Sequence, residues 1–400
     1  MVSYISSLEK ASSLSHKQRK LVLLGSTGSI GKSVLDVVAQ HKEKFKIIAL
    51  GAGKNVKLLA EQIKKFKPEY VGVLSEELID PLKTSLSLDQ KISFVWGEKG
   101  YEELASLEEA DIVINAISGT AGLKPLVASL KKGKIVALAN KESLVLAGQI
   151  IKDLCKRYKA EILPIDSEHN AIFQCLIGHN FDEVLNLWLT ASGGPFWDKD
   201  QDFLSTVTPE MALKHPNWEM GKKITIDSAT MMNKALEIIE AYYLFGVDLR
   251  CIKVVIHPQS IVHSLVEFID GTFMAHMAVP DMKIPISFCL FYPKRLSLNI
   301  RPLDLYTIKN LEFHLPDHNR FPSIKFAKMA LKMGADYPIV LNSANEVAVE
   351  MFLNKKISFL KIFELIKRAL EEHKSRKVED IEDVLEIDRT TRQKVMKWLA

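Results

Sequence analysis

Cysteine is scarce in this chain. The 400 residues include four cysteines, Cys155, Cys175, Cys251 and Cys289, and no CxxC pair. Neither a disulfide scaffold nor a thiolate zinc site is therefore expected, and a reducing compartment is the default. No apolar run reaches the ~18 residues that a membrane-crossing helix needs. An excess of one charge is also missing: 53 Lys and Arg face 49 Asp and Glu, a net charge of +4. Over this length that is too slight to imply nucleic-acid or membrane binding, although a basic pocket for an anionic small molecule stays open. With 19 glycines, 15 prolines, 47% hydrophobic and 26% charged residues, a disordered or collagen-like chain is excluded. A soluble, intracellular, multi-domain protein is expected, because the length exceeds what one hydrophobic core fills.

Residues 1–19 are serine-rich and basic, with Glu9 as the sole acid. They lack the apolar block of a secretory signal and read as a frayed tail, with the remnant of a plastid-type targeting segment as the alternative. From Lys20 the apolar runs Leu21–Gly25, Lys46–Gly51, Asp111–Ala116 and Lys134–Ala139 alternate with helical patterns. That alternation predicts a parallel sheet with crossover helices, holding to about Leu163. Beyond it, Leu187–Thr190, Val254–Ile256, Val262–Ile269 and Phe273–Val279 read as strands, with Asp270-Gly271 as a hairpin turn between the last two. A helical pattern from Ala229 to Leu244 interrupts them, which suggests a separate α+β unit. The proline-punctuated stretch Pro293–Pro322 reads as a surface linker. After Ile324 the chain looks helical, with Leu360, Phe363, Ile366 and Leu370 on one face.

Gly25, Gly28 and Gly31 sit where the first strand turns into the first helix. Such glycines allow a tight turn and let backbone N–H groups approach a pyrophosphate at the helix N-terminus. An NAD site usually places an acid at the end of the second strand. Here Gly53, Lys54 and Asn55 stand there instead, which suits the 2′-phosphate of NADP, a solvated loop lysine being the alternative. Asn140-Lys141-Glu142 follows a later strand end, where the nicotinamide should lie.

Asp166-Ser167-Glu168-His169-Asn170 packs polar side chains beside an apolar strand. In extended chain Asp166 and Glu168 face one side and can converge on a cation; carboxylates without a thiolate favour Mg²⁺ or Mn²⁺. Alternatively Asp166 or Ser167 caps a helix, Glu168 is a solvated first-turn acid and His169 is structural. Farther on, Asp227 or Ser228 is expected to cap a helix on which Asn233, Lys234 and Glu237 share a turn. That face offers an ammonium and an amide to a phosphate and a carboxylate to a metal. Ser192-Gly193-Gly194 is a plausible anion-binding turn. The loop His215–Gly221 carries Trp218 and Met220, and a water-excluding lid with Trp218 as its cover is expected there.

These segments resemble one family. GSTGSIG, AGKN, ANKESLV, PIDSEHNAIFQ, ASGGPF, HPNWEMGKKITIDSATMMNKALE, HPQSIVHS, PDMKIPI and NSANE follow, in order, the landmarks of the 1-deoxy-D-xylulose 5-phosphate reductoisomerases of the non-mevalonate isoprenoid pathway. The resemblance covers Lys20 to Ala400 and leaves out the N-terminal extension. It implies an α/β protein with an N-terminal Rossmann-like parallel sheet, a central α+β catalytic domain and a C-terminal helical bundle, in a cytoplasmic bacterial homodimer. The corresponding boundaries are an extension 1–19, an NADPH domain 20–165, a catalytic domain 166–292 with a mobile loop 215–221, a linker 293–322 and a helical domain 323–400. By matching motif, Thr27, Gly28, Ser29, Ile30, Gly53, Lys54, Asn55, Asn140, Glu142 and Gly221 would contact NADPH. Asp166, Glu168 and Glu237 would hold Mn²⁺ or Mg²⁺. Lys141, Ser167, Ser192, His215, Ser228, Asn233 and Lys234 would contact the sugar phosphate, with Lys141 and Glu168 as candidates for proton movement. An NADP-dependent dehydrogenase that leaves the carbon skeleton intact, and a non-catalytic NADPH sensor, are the alternatives.

Overall fold

The structure is a computed structural model that describes residues 3–14, 18–86, 91–214 and 221–399. The apolar runs from Arg19 onward form a parallel sheet of seven strands: β1 Arg19–Leu24, β2 Phe45–Gly51, β3 Tyr70–Val73, β4 Ser93–Trp96, β5 Ile112–Asn115, β6 Ile135–Leu138 and β7 Glu161–Pro164. β5, β6 and β7 are buried at every position, as strands covered by helices on both faces must be. The order is β4-β3-β2-β1-β5-β6-β7. Strands β2 to β4 extend to one side of β1 and β5 to β7 to the other, so the carboxyl ends of β1 and β5 flank the crevice where such sheets bind ligands.

A second sheet has the order β11-β10-β8-β9, from β8 Val184–Ala191, β9 Ile252–Ile256, β10 Val262–Phe268 and β11 Phe273–Met277. β8 starts earlier than its apolar pattern suggests, because Val184 and Asn186 pair with Phe268 and Glu267 of β10. The expected turn at Asp270-Gly271 is present: Gly271 has φ +84°, and the Asp270 carboxylate accepts from the Thr272 N–H at 3.0 Å. Helices Ser323–Met333, Tyr337–Leu353, Phe359–Glu371 and Ile381–Lys397 close the chain. No helix among the described residues is long and apolar enough to cross a membrane.

Two expectations are corrected. Residues 3–14 are not a frayed tail: Ile5 and Ala11 are buried, and the Ile5 N–H donates to the Leu244 carbonyl at 2.7 Å. The helix expected over 229–244 begins only at Met232 and runs to Phe245, and a separate helix, Lys222–Ala229, precedes it. Met231 between them is left-handed at φ +58°, a conformation that continues neither helix. Asp227 and Ser228 consequently lie in the last turn of the first helix and cap nothing.

Candidate active site

A cavity of about 620 Å³ opens between the two sheets, with walls from Ser29, Ile30, Asn140, Lys141, Glu142, Asp166, Ser167, Glu168, Ser192, Gly221, Ser228, Asn233 and Lys234. Helix starts bring most of these together. Asn140 caps the Lys141–Tyr158 helix, its Oδ1 accepting the Ser143 N–H at 2.8 Å. Its Nδ2 donates to the carbonyls of Ile117 at 2.5 Å and Gly119 at 2.9 Å, tying the turns after β5 and β6. Asp166 occupies the cap position of the Ser167–Leu176 helix, but its carboxylate makes no capping bond. It turns instead to the Lys141 ammonium.

That ion pair opens a buried network. Lys141 Nζ also donates to Asn233 Oδ1 at 2.9 Å and lies 3.3 Å from Glu237 Oε1. Lys234 Nζ bridges Glu168, at 2.8 Å, and Glu237. Asn233 Nδ2 donates to Glu237 Oε1 at 2.5 Å, and Ser167 Oγ to Glu168 Oε2 at 2.5 Å. Asn233, Lys234 and Glu237 meet because three- and four-residue spacings share a helix face. The Glu237 side chain is 0% exposed, so its charge depends wholly on these partners.

The electrostatics divide the acids by role. Burial opposes ionisation of Glu168, but Lys234 and Lys141 outweigh it and hold the carboxyl well below its usual range. Burial, and then the charge of Glu168, push Glu237 up to about 7. Burial alone would strip the protons from Lys141 and Lys234; Asp166 and Glu237 around the first, and Glu168 and Glu237 around the second, raise both instead. Beneath the network, His169 Nε2 lies 2.9 Å from the Glu237 carbonyl and Nδ1 lies 3.3 Å from Glu240 Oε2. Burial pushes His169 down to about 4 and Glu240 well up. A neutral ring with Nε2–H directed at the carbonyl is the tautomer that this pairing assigns. Ligand atoms of Asp166, His169 and Glu237 come within 4.8 Å of one another. Nε2 is engaged by the Glu237 carbonyl, whereas Nδ1 faces Glu240 without a hydrogen bond.

Opposite the carboxylates, Gly193 and Gly194 have φ +84° and +71°, and Ser192 Oγ accepts the Gly194 N–H at 3.2 Å. A Cβ on Gly194 would stand 2.5 Å from the Ser228 carbonyl. The turn therefore presses on the Lys222–Ala229 helix and puts Ser192 and Ser228 on one wall.

On the dinucleotide side, Gly25 needs its φ of +89°, and a Cβ there would come within 2.4 Å of the Ala116 carbonyl. A Cβ on Gly31 would stand 2.3 Å from the Gly25 carbonyl, so strand and helix touch at that point. Gly28 is the cap residue of the Ser29–Gln40 helix. Thr27, Gly28, Gly53, Lys54 and Asn55 are not part of the cavity wall. The last three follow β2, whose Gly51 carbonyl accepts from Gly25 N at 2.8 Å, which sets them beside the glycine turn. Asn55 caps the Val56–Phe66 helix through Leu58 N at 3.1 Å.

Comparison with known proteins agrees with this fold. Family models described as 1-deoxy-D-xylulose 5-phosphate reductoisomerase, its C-terminal domain, and DXP reductoisomerase C-terminal domain match residues 21–148, 162–245 and 277–394 respectively. The 1-deoxy-D-xylulose 5-phosphate reductoisomerase of Lawsonia intracellularis is 49% identical over 399 residues, covering 100% of this chain and 99% of that protein. The chain belongs to the 1-deoxy-D-xylulose 5-phosphate reductoisomerase family. A solved reductoisomerase from Zymomonas mobilis in complex with NADPH superposes with a TM-score of 0.89 at 41% identity, covering 96% of this chain and 99% of that one. Another, in complex with NADPH, fosmidomycin and magnesium, has a TM-score of 0.91 at 40% identity, covering 95% and 98%.

Within this reductoisomerase fold, sequence reasoning missed Lys223. Its ammonium lies 3.0 Å from Glu142 Oε1 and 2.8 Å from Asp227 Oδ2. Asp227 also accepts from Asn345 Nδ2 at 2.8 Å. Burial works against the Lys223 charge, and Asp227 and Glu142 more than restore it. The four-residue spacing of Lys223 and Asp227 is a signal that would have found the pair. Their links to Glu142 and Asn345 leave no local trace. Gly221 caps the Lys222–Ala229 helix. The expected contacts His215 and Trp218, and the lid they belong to, lie outside the described residues.

Proposed function

We propose that this chain performs its family's reaction at the cavity between the sheets: NADPH- and divalent-metal-dependent rearrangement and reduction of 1-deoxy-D-xylulose 5-phosphate to 2-C-methyl-D-erythritol 4-phosphate. The observation that carries this reading is the lysine-bridged carboxylate set Asp166, Glu168 and Glu237 beside the glycine turn of a dinucleotide fold. The donor set fits a hard dication. It offers three carboxylates and no thiolate, and the two ammonium groups leave one negative charge in excess. When bound, the metal polarises the substrate's ketone and adjacent hydroxyl oxygens and NADPH supplies the hydride.

The chain's own groups then have distinct tasks. Lys234 and Asn233 would hold the phosphate together with Ser192, Ser228 and His215. Binding energy gathered there supports the reacting end of the sugar. Glu168 and Lys141 stay the candidates for proton movement by their place in the cavity wall. The charges that hold Glu168 ionised and Lys141 as an ammonium oppose transfer at either until a ligand changes those partners. Ser29, Ile30, Asn140, Glu142 and Gly221 face the nicotinamide half of the cofactor. Thr27, Gly28, Gly53, Lys54 and Asn55 serve its phosphate end. Trp218 covers the substrate. The division at 20–165, 166–292, 293–322 and 323–400 is our domain assignment.

A homodimer in the bacterial cytoplasm completes the proposal. Edge strand β11 exposes Phe273, Met274 and Met277, and an open sheet edge with exposed apolar side chains suits a second copy of the same surface.

Purified protein given the sugar phosphate, Mn²⁺ and NADPH should consume NADPH and yield a branched product by NMR. A straight-chain product would identify simple reduction instead. Two further outcomes are expected. Lys54→Ala should raise the KM for NADPH about tenfold, the worth of one hydrogen bond to a charged group, and leave the KM for NADH in place. An equal loss for both cofactors would remove the 2′-phosphate role. Metal affinity should also depend on pH. Glu237 is pushed up to about 7, and a proton on it competes with the cation. Affinity should therefore weaken as pH falls through that value, by about tenfold per further unit. Calorimetric titration with Mg²⁺ between pH 8 and pH 6 reads this directly, and a flat profile would contradict it.

A further inference from the structure

The segment before β1 does more than cover surface. Tyr4 touches each of the three elements that carry the site's carboxylates. Its hydroxyl donates to the Ile162 carbonyl of β7 at 2.8 Å, and β7 runs directly into Asp166. Its ring lies 5.2 Å from that of Phe173, on the helix that begins with Ser167 and Glu168. The same ring lies 5.8 Å from that of Phe245, at the end of the helix that carries Glu237. The surrounding segment fixes Tyr4 from both sides. Ser3 N and Ile5 N donate to the carbonyls of Phe245 at 3.2 Å and Leu244 at 2.7 Å. The Ile162 N–H donates to Ser6 Oγ at 3.1 Å, so two side chains of the segment satisfy the backbone of an edge strand. Beyond it, the buried Glu161 carboxylate accepts from Lys10 N and Ala11 N, both at 2.8 Å. Lys10 Nζ reaches the Gly133 carbonyl at 2.7 Å.

We propose that residues 3–14 are a strap that sets the spacing of the metal-binding carboxylates, with Tyr4 as its positioning residue. The inference rests on the metal role assigned above to Asp166, Glu168 and Glu237. The physical reason is the origin of those acids: two leave the edge of one sheet and the third rides a helix packed on the other. Neither sheet fixes their separation by its own hydrogen bonds. Ring packing and a backbone bond at one residue bind strand and helices into a single unit, and carboxylates held at ligand spacing lose less freedom when a cation binds. The dinucleotide turn at Gly25–Gly31 lies two strands away from β7, across β5 and β6, and is not part of that unit.

The test compares wild type, Tyr4→Ala, Tyr4→Phe and Asp166→Asn as full-length proteins. Mn²⁺ binding is read by the electron paramagnetic resonance of the free ion, NADPH binding by fluorescence, and the substrate KM by assay. Tyr4→Ala should weaken Mn²⁺ binding and raise the substrate KM, each about tenfold, with NADPH affinity within about twofold of wild type, the scale of coupling between linked sites. Tyr4→Phe keeps both ring contacts and should restore most of the Mn²⁺ affinity. Tyr4→Leu, which keeps apolar volume without the ring, carries the same expectation if the alanine variant does not fold. Wild-type Mn²⁺ affinity in the alanine or leucine variant would overturn the proposal. So would an equal loss of NADPH and Mn²⁺ binding, since that marks general loosening. Asp166→Asn separates the two levels: unchanged Mn²⁺ binding there would remove the metal assignment itself, whereas its loss beside an unaffected Tyr4→Ala would remove the strap alone.

Discussion

Asp166→Asn is expected to lower kcat/KM by on the order of 10³-fold while NADPH affinity stays within about twofold, because several kcal/mol of transition-state stabilisation pass through the metal. The amide keeps the shape of the carboxylate and removes its charge, so folding should be spared. Lys141 retains Glu237 and Asn233 as partners, which prevents a stranded ammonium. The turn at Gly25–Gly31 and the loop at Gly53–Asn55 are built from β1 and β2, far along the sheet from β7, and are untouched by the change. Steady-state kinetics with and without added Mn²⁺, beside an NADPH titration, measure both effects. Full activity in the variant, or in chelated wild type, would refute the metal site.

Lys234→Met should be the other severe change. Its ammonium, with a side chain 4% exposed, lies between Glu168 and Glu237. Without it two carboxylates face each other in a buried space. Breaking such a bridge costs roughly 3–5 kcal/mol when the remaining charge cannot escape. Glu237 already titrates near neutrality and can take up a proton, so a stability loss of about 2 kcal/mol is expected, at the low end of the cost of removing one charged partner. The substrate KM should rise about 100-fold, as for a lost charge-assisted contact to phosphate. Lys234→Arg should not rescue it, because a planar fork does not replace a compact point charge held between two carboxylates. Urea unfolding and inhibition by inorganic phosphate read the two effects separately. A variant that unfolds like wild type yet binds phosphate normally would exclude both roles.

Much of this site was legible because its parts obey local periodicities. The strand–turn–helix at Gly25–Gly31 showed itself through spacing and through the apolar run before it. Asp166 and Glu168 stood out as polar residues just past a buried strand. The extended chain expected to align them is instead the start of the Ser167–Leu176 helix, with Asp166 at its cap position and Glu168 in its first turn. Asn233, Lys234 and Glu237 followed from the three- and four-residue repeat of a helix. The break at Met231 was not legible, since the left-handed residue there is not a glycine that would announce it. Residues 3–14 misled for a related reason. Their composition is that of a solvated tail, and only the groove that receives Tyr4, Ile5 and Ala11 gives them a reason to be ordered.

The sequence by itself determined the class of fold, the glycine turn after β1 and the family, because each is written in neighbouring residues or in motifs kept in order. Tertiary structure alone decided the long-range partners. Lys141 meets Asn233 across 92 residues, Lys234 meets Glu168 across 66, Asn345 meets Asp227 across 118 and Tyr4 meets Ile162 across 158. A buried charge gains its stabilisation from whatever stands within a few ångströms, and chain separation carries no information about that distance once the sheets have packed.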